Sequence, residues 1–319
     1  MNPSFNDDPE LLEIENRLQS EDSEVRRIAV LDLADIAGEE HAALFLSALK
    51  DDAHEVRTEA ARALEAFESE ASVTGLISLL SDPHQQVRDA AAHSLSELKN
   101  AASAALLLPH ANDAAPFVRA AVLRGLRELR YAASFQPALD ALRDNDPLVR
   151  REAVAVLGYL KQERALSSLA EIVAQDADAE VRRIATGALG FATDESVLST
   201  LYVALRDTVW QVREEAATTL GKLRLAQADS ALIAALDDEY WQVRICVARS
   251  LGRLRAREAV LPLINALAHQ SNNLRKEAAL ALGEIRDAAA LPALQKALDD
   301  ADPEVRKSVR LALTQIQSA

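Results

Sequence analysis

Apolar residues recur along this chain with two periods at once. Around each of ten arginines, at 26, 57, 88, 119, 150, 182, 213, 244, 275 and 306, the same short pattern appears. A Val or Leu stands one position before, an Ala or Val three after and a Leu seven after. Apolar positions at −1, 3, 7 and 10 share one face of a helix, so each arginine marks an amphipathic helix. The long period is the distance between arginines: 31 residues at every step except one of 32, from Arg150 to Arg182. Upstream of each lies a shorter apolar run, as in "VTGLISLLSD" (Val73 to Asp82) and "VLPLINALAH" (Val260 to His269), which predicts a first, shorter helix.

A polar turn joins the two helices. Asp51, Asp82, Asp113, Asp144, Asp176, Asp207, Asp238 and Asp300 stand in it, each six before an arginine. An aspartate there is placed to accept the free N–H groups that open the second helix. A cation so early in a helix opposes the dipole, so each arginine is expected to bridge to an aspartate of an adjacent hairpin. One hairpin cannot cover its own apolar stripe, and stacking is required. The expected architecture is an all-α, α-α superhelix: one solenoid of ten two-helix repeats over residues 9–319, after a disordered tail at 1–8. Pro109 stands inside the first helix of the fourth hairpin and predicts a bend near 105–118.

The pattern "DxxxxVRxxAxxxLGxI", as in "DADPEVRKSVRLAL", "VRREAVAVLGYL" and "LRKEAALALGEI", resembles the HEAT repeat, specifically the short phycobilin-lyase-like type. The resemblance covers nearly the whole chain. It implies a helical solenoid with its second helices lining a concave side. It also implies two kinds of use: a protein-interaction scaffold or assembly factor, or a phycobilin-lyase-like protein that handles a tetrapyrrole.

Chemistry associated with such repeats is not matched in detail. HEAT-like deoxyhypusine hydroxylases hold iron with His-Glu pairs on second helices. The corresponding positions here read Arg151-Glu152, Glu214-Glu215 and Lys276-Glu277, without the histidine. The six histidines show no paired ligand spacing. No catalytic residue, metal or cofactor is expected.

The solvent-facing slots of the second helices, one, five and nine after the arginine, hold the candidate binding residues. Tyr159 and Phe191 occupy equivalent slots in neighbouring hairpins, beside the small Ala155 and Gly187. Arg249 and Arg253 fill the same slots in the eighth hairpin. Trp210 and Trp241 each stand three before an arginine, with Tyr240 adjacent, and the repeat pattern itself does not call for tryptophan there. Exposed aromatics beside arginines are common makings of a binding hot spot. Together these seven are expected to form one partner surface. A row of cations, Lys99, Arg130, Lys161, Arg224, Arg255 and Arg286, falls eleven after the arginines, where a helix C-terminus favours positive charge.

Charge adds a second surface. Residues 1–100 hold 22 acidic and 8 basic side chains, whereas the remainder holds 28 and 27. The acidic hairpins are expected to prefer another protein with a basic segment. The net charge of −15 argues against nucleic acid. The lone Cys246 and an acidic N-terminus without an apolar run fit a cytoplasmic, reducing compartment, and no apolar stretch reaches membrane-spanning length.

Overall fold

Alternation of polar turns with apolar stripes closes this chain into hairpins of one short and one long helix. The computed structural model describes residues 9–318, so the tail at 1–8 lies outside the described residues. The chain forms two compact units that divide between Leu160 and Lys161. Each is an all-α stack of HEAT-type hairpins, with no strand among the described residues.

In the first unit the short helices are α1 (Pro9–Leu18), α3 (Ala42–Ala48), α5 (Glu70–Leu79), α7 (Ser103–Leu107) and α9 (Phe135–Ala141). They alternate with α2 (Ser23–Ile36), α4 (His54–Ala63), α6 (Gln85–Ser96), α8 (Pro116–Leu129) and α10 (Pro147–Leu160). In the second unit α11 (Leu166–Gln175), α13 (Leu198–Ala204), α15 (Asp229–Ala235), α17 (Val260–Ala266) and α19 (Leu291–Lys296) precede α12 (Ala179–Ala188), α14 (Trp210–Leu223), α16 (Trp241–Leu254), α18 (Asn272–Ile285) and α20 (Pro303–Gln317). The one-residue insertion falls in α11, ten residues long against seven in α13, α15 and α17. Pro109 lies in a 3-10 turn, Leu108–Asn112, that takes over directly from the five-residue α7. Proline has no N–H to give an α-helical bond at that point.

The stripe is the core. All ten Ala or Val residues three after the arginines, from Ala29 to Val309, are fully buried. So are the leucines seven after, from Leu33 to Leu282, while Leu313 in the last hairpin is half-buried. Small residues at the first position let successive second helices approach closely, and leucines fill the space behind them. In the second unit the approach is close enough to require glycine. A Cβ on Gly283 would stand 2.8 Å from the Ala312 Cα, and one on Gly252 would stand 2.9 Å from the Ala281 Cα.

Six of the arginines tie their hairpin to the next. Arg26, Arg57, Arg119, Arg182, Arg213 and Arg275 each reach an aspartate 25 residues on, with Nε–Oδ distances of 2.6–2.8 Å. A second nitrogen of each donates back to the carbonyl of the turn residue six before it. The cation is thus surrounded by acceptors, which offsets its place near a positive helix end. The aspartates accept the N–H of the N-cap residue itself, two positions on, as Asp207 does from Val209 and Asp238 from Tyr240. That is one step earlier than the helix N–H groups expected from sequence. Side-chain capping of the helix N–H groups comes instead from Asp22, Asp146, Asp178 and Asp302.

Two rungs are different. Arg88 places its guanidinium 5.6 Å from the Phe117 ring centroid in place of a bridge to Asp113. For Arg244 the position 25 residues on is His269, not an aspartate.

Five of the second helices end in a common way. Arg130, Lys161, Arg224, Arg255 and Arg286 adopt left-handed backbone, with φ between 49° and 59°. Five of the six cations in the basic row are therefore cap residues. Among the described residues no helix is long and apolar enough to cross a membrane.

Candidate functional site

The turn edge of the second unit is assembled around one rung. Asp238 holds Arg213 through two hydrogen bonds, Nε–Oδ2 at 2.6 Å and Nη2–Oδ1 at 3.0 Å. The same carboxylate accepts the Tyr240 N–H at 2.8 Å and so fixes the backbone from which the tyrosine ring projects. That ring lies 5.5 Å from the Arg213 guanidinium carbon. It also stacks on Trp210, which opens α14, with centroids 5.7 Å apart and planes 16° from parallel. The outcome is a flat shelf of two rings and one guanidinium, an arrangement that combines aromatic stacking with cation–π attraction. Tyr240 remains 38% exposed, and its neighbour Trp241, which opens α16, is 41% exposed.

The electrostatics follow from the packing. Burial raises the Asp238 carboxyl, but the Arg213 hydrogen bonds, the Tyr240 N–H and the charges of Arg213 and Arg244 hold it below the usual carboxylate value. Hydrogen bonding to Asp238 raises Arg213 in turn, so this pair stays ionised through the ordinary pH range.

The remaining expected residues fall elsewhere. Arg249 and Arg253 lie on the exposed face of α16. The Arg249 guanidinium is engaged with Glu277 of α18, at 3.0 and 2.9 Å, so it serves as a cross-hairpin tie. Arg253 pulls the Glu284 carboxyl down, against the larger upward effects of burial and the Glu277 charge. Cys246 lies 3.6 Å from Glu214, and burial pushes its thiol up. Phe191 closes a 3-10 turn, Leu189–Phe191, and is half-buried.

Tyr159 belongs to the first unit. Its ring sits 5.7 Å from the guanidinium carbons of both Arg127 and Arg130. Arg127 is itself bound to Glu128 and Glu152, at 2.7 and 3.2 Å. The tyrosine is thus held by a fixed pair of cations while 45% exposed. Sequence reasoning missed Arg213, Arg127 and Arg130 as partners of these rings. The signal was present in the register: Tyr240 stands 27 residues after Arg213, a distance that places the two on facing turns.

Comparison with known proteins agrees with this architecture. A family profile described as HEAT repeats matches residues 11–96, 55–127, 104–190, 169–245 and 230–314. Among solved structures, an engineered protein aligns at 22% identity over 97% of this chain and 99% of its own, with a TM-score of 0.52. YibA of Escherichia coli aligns at 20% identity over 91% and 96%, with a TM-score of 0.55. Kap95p, from a complex with RanGDP, aligns at 15% identity over 96% of this chain and 50% of its own, with a TM-score of 0.65. No protein in a search of curated sequences matches the chain.

Proposed function

Because this chain belongs to the HEAT repeat family along residues 11–314, we propose that it is a non-catalytic scaffold or assembly factor that binds another protein. The observation that carries the reading is the Trp210–Tyr240 stack on Arg213, with Trp241 exposed beside it. Large rings held rigid before binding lose little conformational freedom on contact, which is why such residues dominate interface energetics. Kap95p with RanGDP and Kap121p with Nup53p are fold neighbours whose solved complexes contain protein partners. The acidic hairpins of the first unit offer a second contact region for a basic segment, with association that weakens as salt rises.

The test is affinity capture from the native host with the full chain and with a Trp210→Ala/Trp241→Ala variant of unchanged circular dichroism. A partner retained by the wild type and lost from the variant supports the reading. Identical capture by both removes it.

A further inference from the structure

The second unit carries the same turn twice in succession, and the second copy is incomplete. Between α14 and α16 the set is Trp210, Arg213, Asp238 and Tyr240, with Tyr240 stacked on Trp210, lying against Arg213 and held by Asp238, which also pairs with Arg213. One repeat later the corresponding residues are Trp241, Arg244, His269 and Ser271. The tryptophan and the arginine are kept, while the carboxylate and the second ring are replaced.

The consequences are local and visible. Arg244 has no aspartate ahead of it, and its Nε donates back to the Asp238 carbonyl oxygen. His269 takes over only the backbone half of the aspartate's role. Its Nδ1 accepts the Ser271 N–H at 3.0 Å, and its carbonyl oxygen accepts from Arg275 at 2.9 Å. With Nδ1 accepting, the proton of the neutral ring sits on Nε2, which is a donor. Burial, together with the charges of Arg244 and Arg275, lowers the His269 pKa and favours that neutral form.

Arg244 and His269 both line a cavity of about 690 Å³, walled by Leu261, Pro262 and Leu274 among others. Leu261 is 70% exposed. Asp237 also lines the cavity. Arg182, Arg213 and Arg275 of this unit each hold a carboxylate 25 residues on, whereas Arg244 and His269 line a cavity beside an apolar wall.

The geometry points to a docking site for a segment of another protein that brings a carboxylate to Arg244 and a flat ring to Trp241. These are the two groups that Asp238 and Tyr240 supply one repeat earlier. Asp238 and Tyr240 are two residues apart, so the matching segment carries an acidic residue followed two positions on by an aromatic one. The proposal rests on the reading of this turn edge as a partner surface and names the chemistry of the partner.

The test uses the full chain and the peptide acetyl-Gly-Asp-Leu-Tyr-Gly-amide, followed by tryptophan fluorescence and by the ¹⁵Nε shift of the arginine side chains. Saturable binding is expected, with the Asn-for-Asp peptide weaker by about tenfold or more, the usual range for a charge-assisted hydrogen bond. Arg244→Gln is expected to give the same loss. His269→Asp rebuilds the internal rung, so it is expected to raise Tm and abolish peptide binding together. Equal affinity for the Asp and Asn peptides, unchanged binding by the folded His269→Asp variant, or no saturable binding would each overturn the proposal. Peptide failure alongside partner capture that still depends on Trp210 and Trp241 removes this inference and leaves the scaffold reading standing.

Discussion

Arg213 and Asp238 are 25 residues apart in the chain and 2.6 Å apart in space, with side chains only 10% and 9% exposed. This pair performs three jobs at once. It joins α14 to the turn before α16, it neutralises a cation near a helix N-terminus, and it sets the backbone of Tyr240. Asp238→Asn keeps the shape and removes the charge. It is expected to destabilise the chain by about 1.5–3 kcal/mol, the range for a hydrogen bond to a charged group. Urea unfolding followed by circular dichroism measures this, and the Trp210 fluorescence should change with it.

The rungs also predict a pH dependence. In the folded chain the carboxyls of Asp51, Asp82, Asp144, Asp207, Asp238 and Asp300 all lie below the usual aspartate value. In all six burial pushes upward, as the largest single effect in five and second to the Arg275 hydrogen bond in Asp300, and the arginine hydrogen bonds and backbone N–H groups together outweigh it. A depressed folded pKa gives stability that is complete above the unfolded value of about 3.9 and drains as pH falls through the folded values. Unfolding below about pH 4 should therefore take up several protons. Asp238→Asn should reduce that uptake, as measured from the slope of unfolding free energy against pH.

Two glycines should respond oppositely to alanine. A Cβ on Gly283 meets the Ala312 backbone at 2.8 Å, whereas one on Gly190 makes ordinary contacts with Thr219 Cγ2 at 3.6 Å and Lys222 Cδ at 3.9 Å. Overpacking costs about 1–3 kcal/mol and outweighs the gain of about 1 kcal/mol from replacing glycine in a helix. Gly283→Ala is therefore expected to lower Tm and Gly190→Ala to hold or raise it, by differential scanning calorimetry.

The left-handed caps offer a stabilising change. Arg224, with φ 55°, bears strain of about 1 kcal/mol that glycine would not. Glycine gives up a charge–dipole term of about 0.3–0.5 kcal/mol. Arg224→Gly should thus gain about 0.5 kcal/mol in denaturant unfolding, and Arg224→Val should lose more than that.

Much of the fold was legible because it repeats. Ten arginines in register, each with a small residue three on and a leucine seven on, leave one helical face to bury and one way to bury it. The bridging of Arg213 to a neighbouring aspartate followed from the dipole alone. Less could be read about which ring meets which. That Trp210 stacks on Tyr240 depends on the N-cap geometry that Asp238 imposes, a relation across two hairpins. Likewise the Arg249 charge seemed available until α18 supplied Glu277. The missing aspartate at 269 was visible as a gap in the series, but its meaning needed the cavity beside Arg244.

Six rungs draw their cation from one hairpin and their anion from the following one, 25 residues ahead. Removing or duplicating a whole 31-residue block between two such rungs therefore leaves their joints matched, whereas a cut that shifts the register between an arginine and its aspartate strands a guanidinium in a covered site. A single extra residue is absorbed within a short helix, as in α11, but larger changes of length come most readily as whole hairpins, which alter the reach of the surface without redesign of the interior.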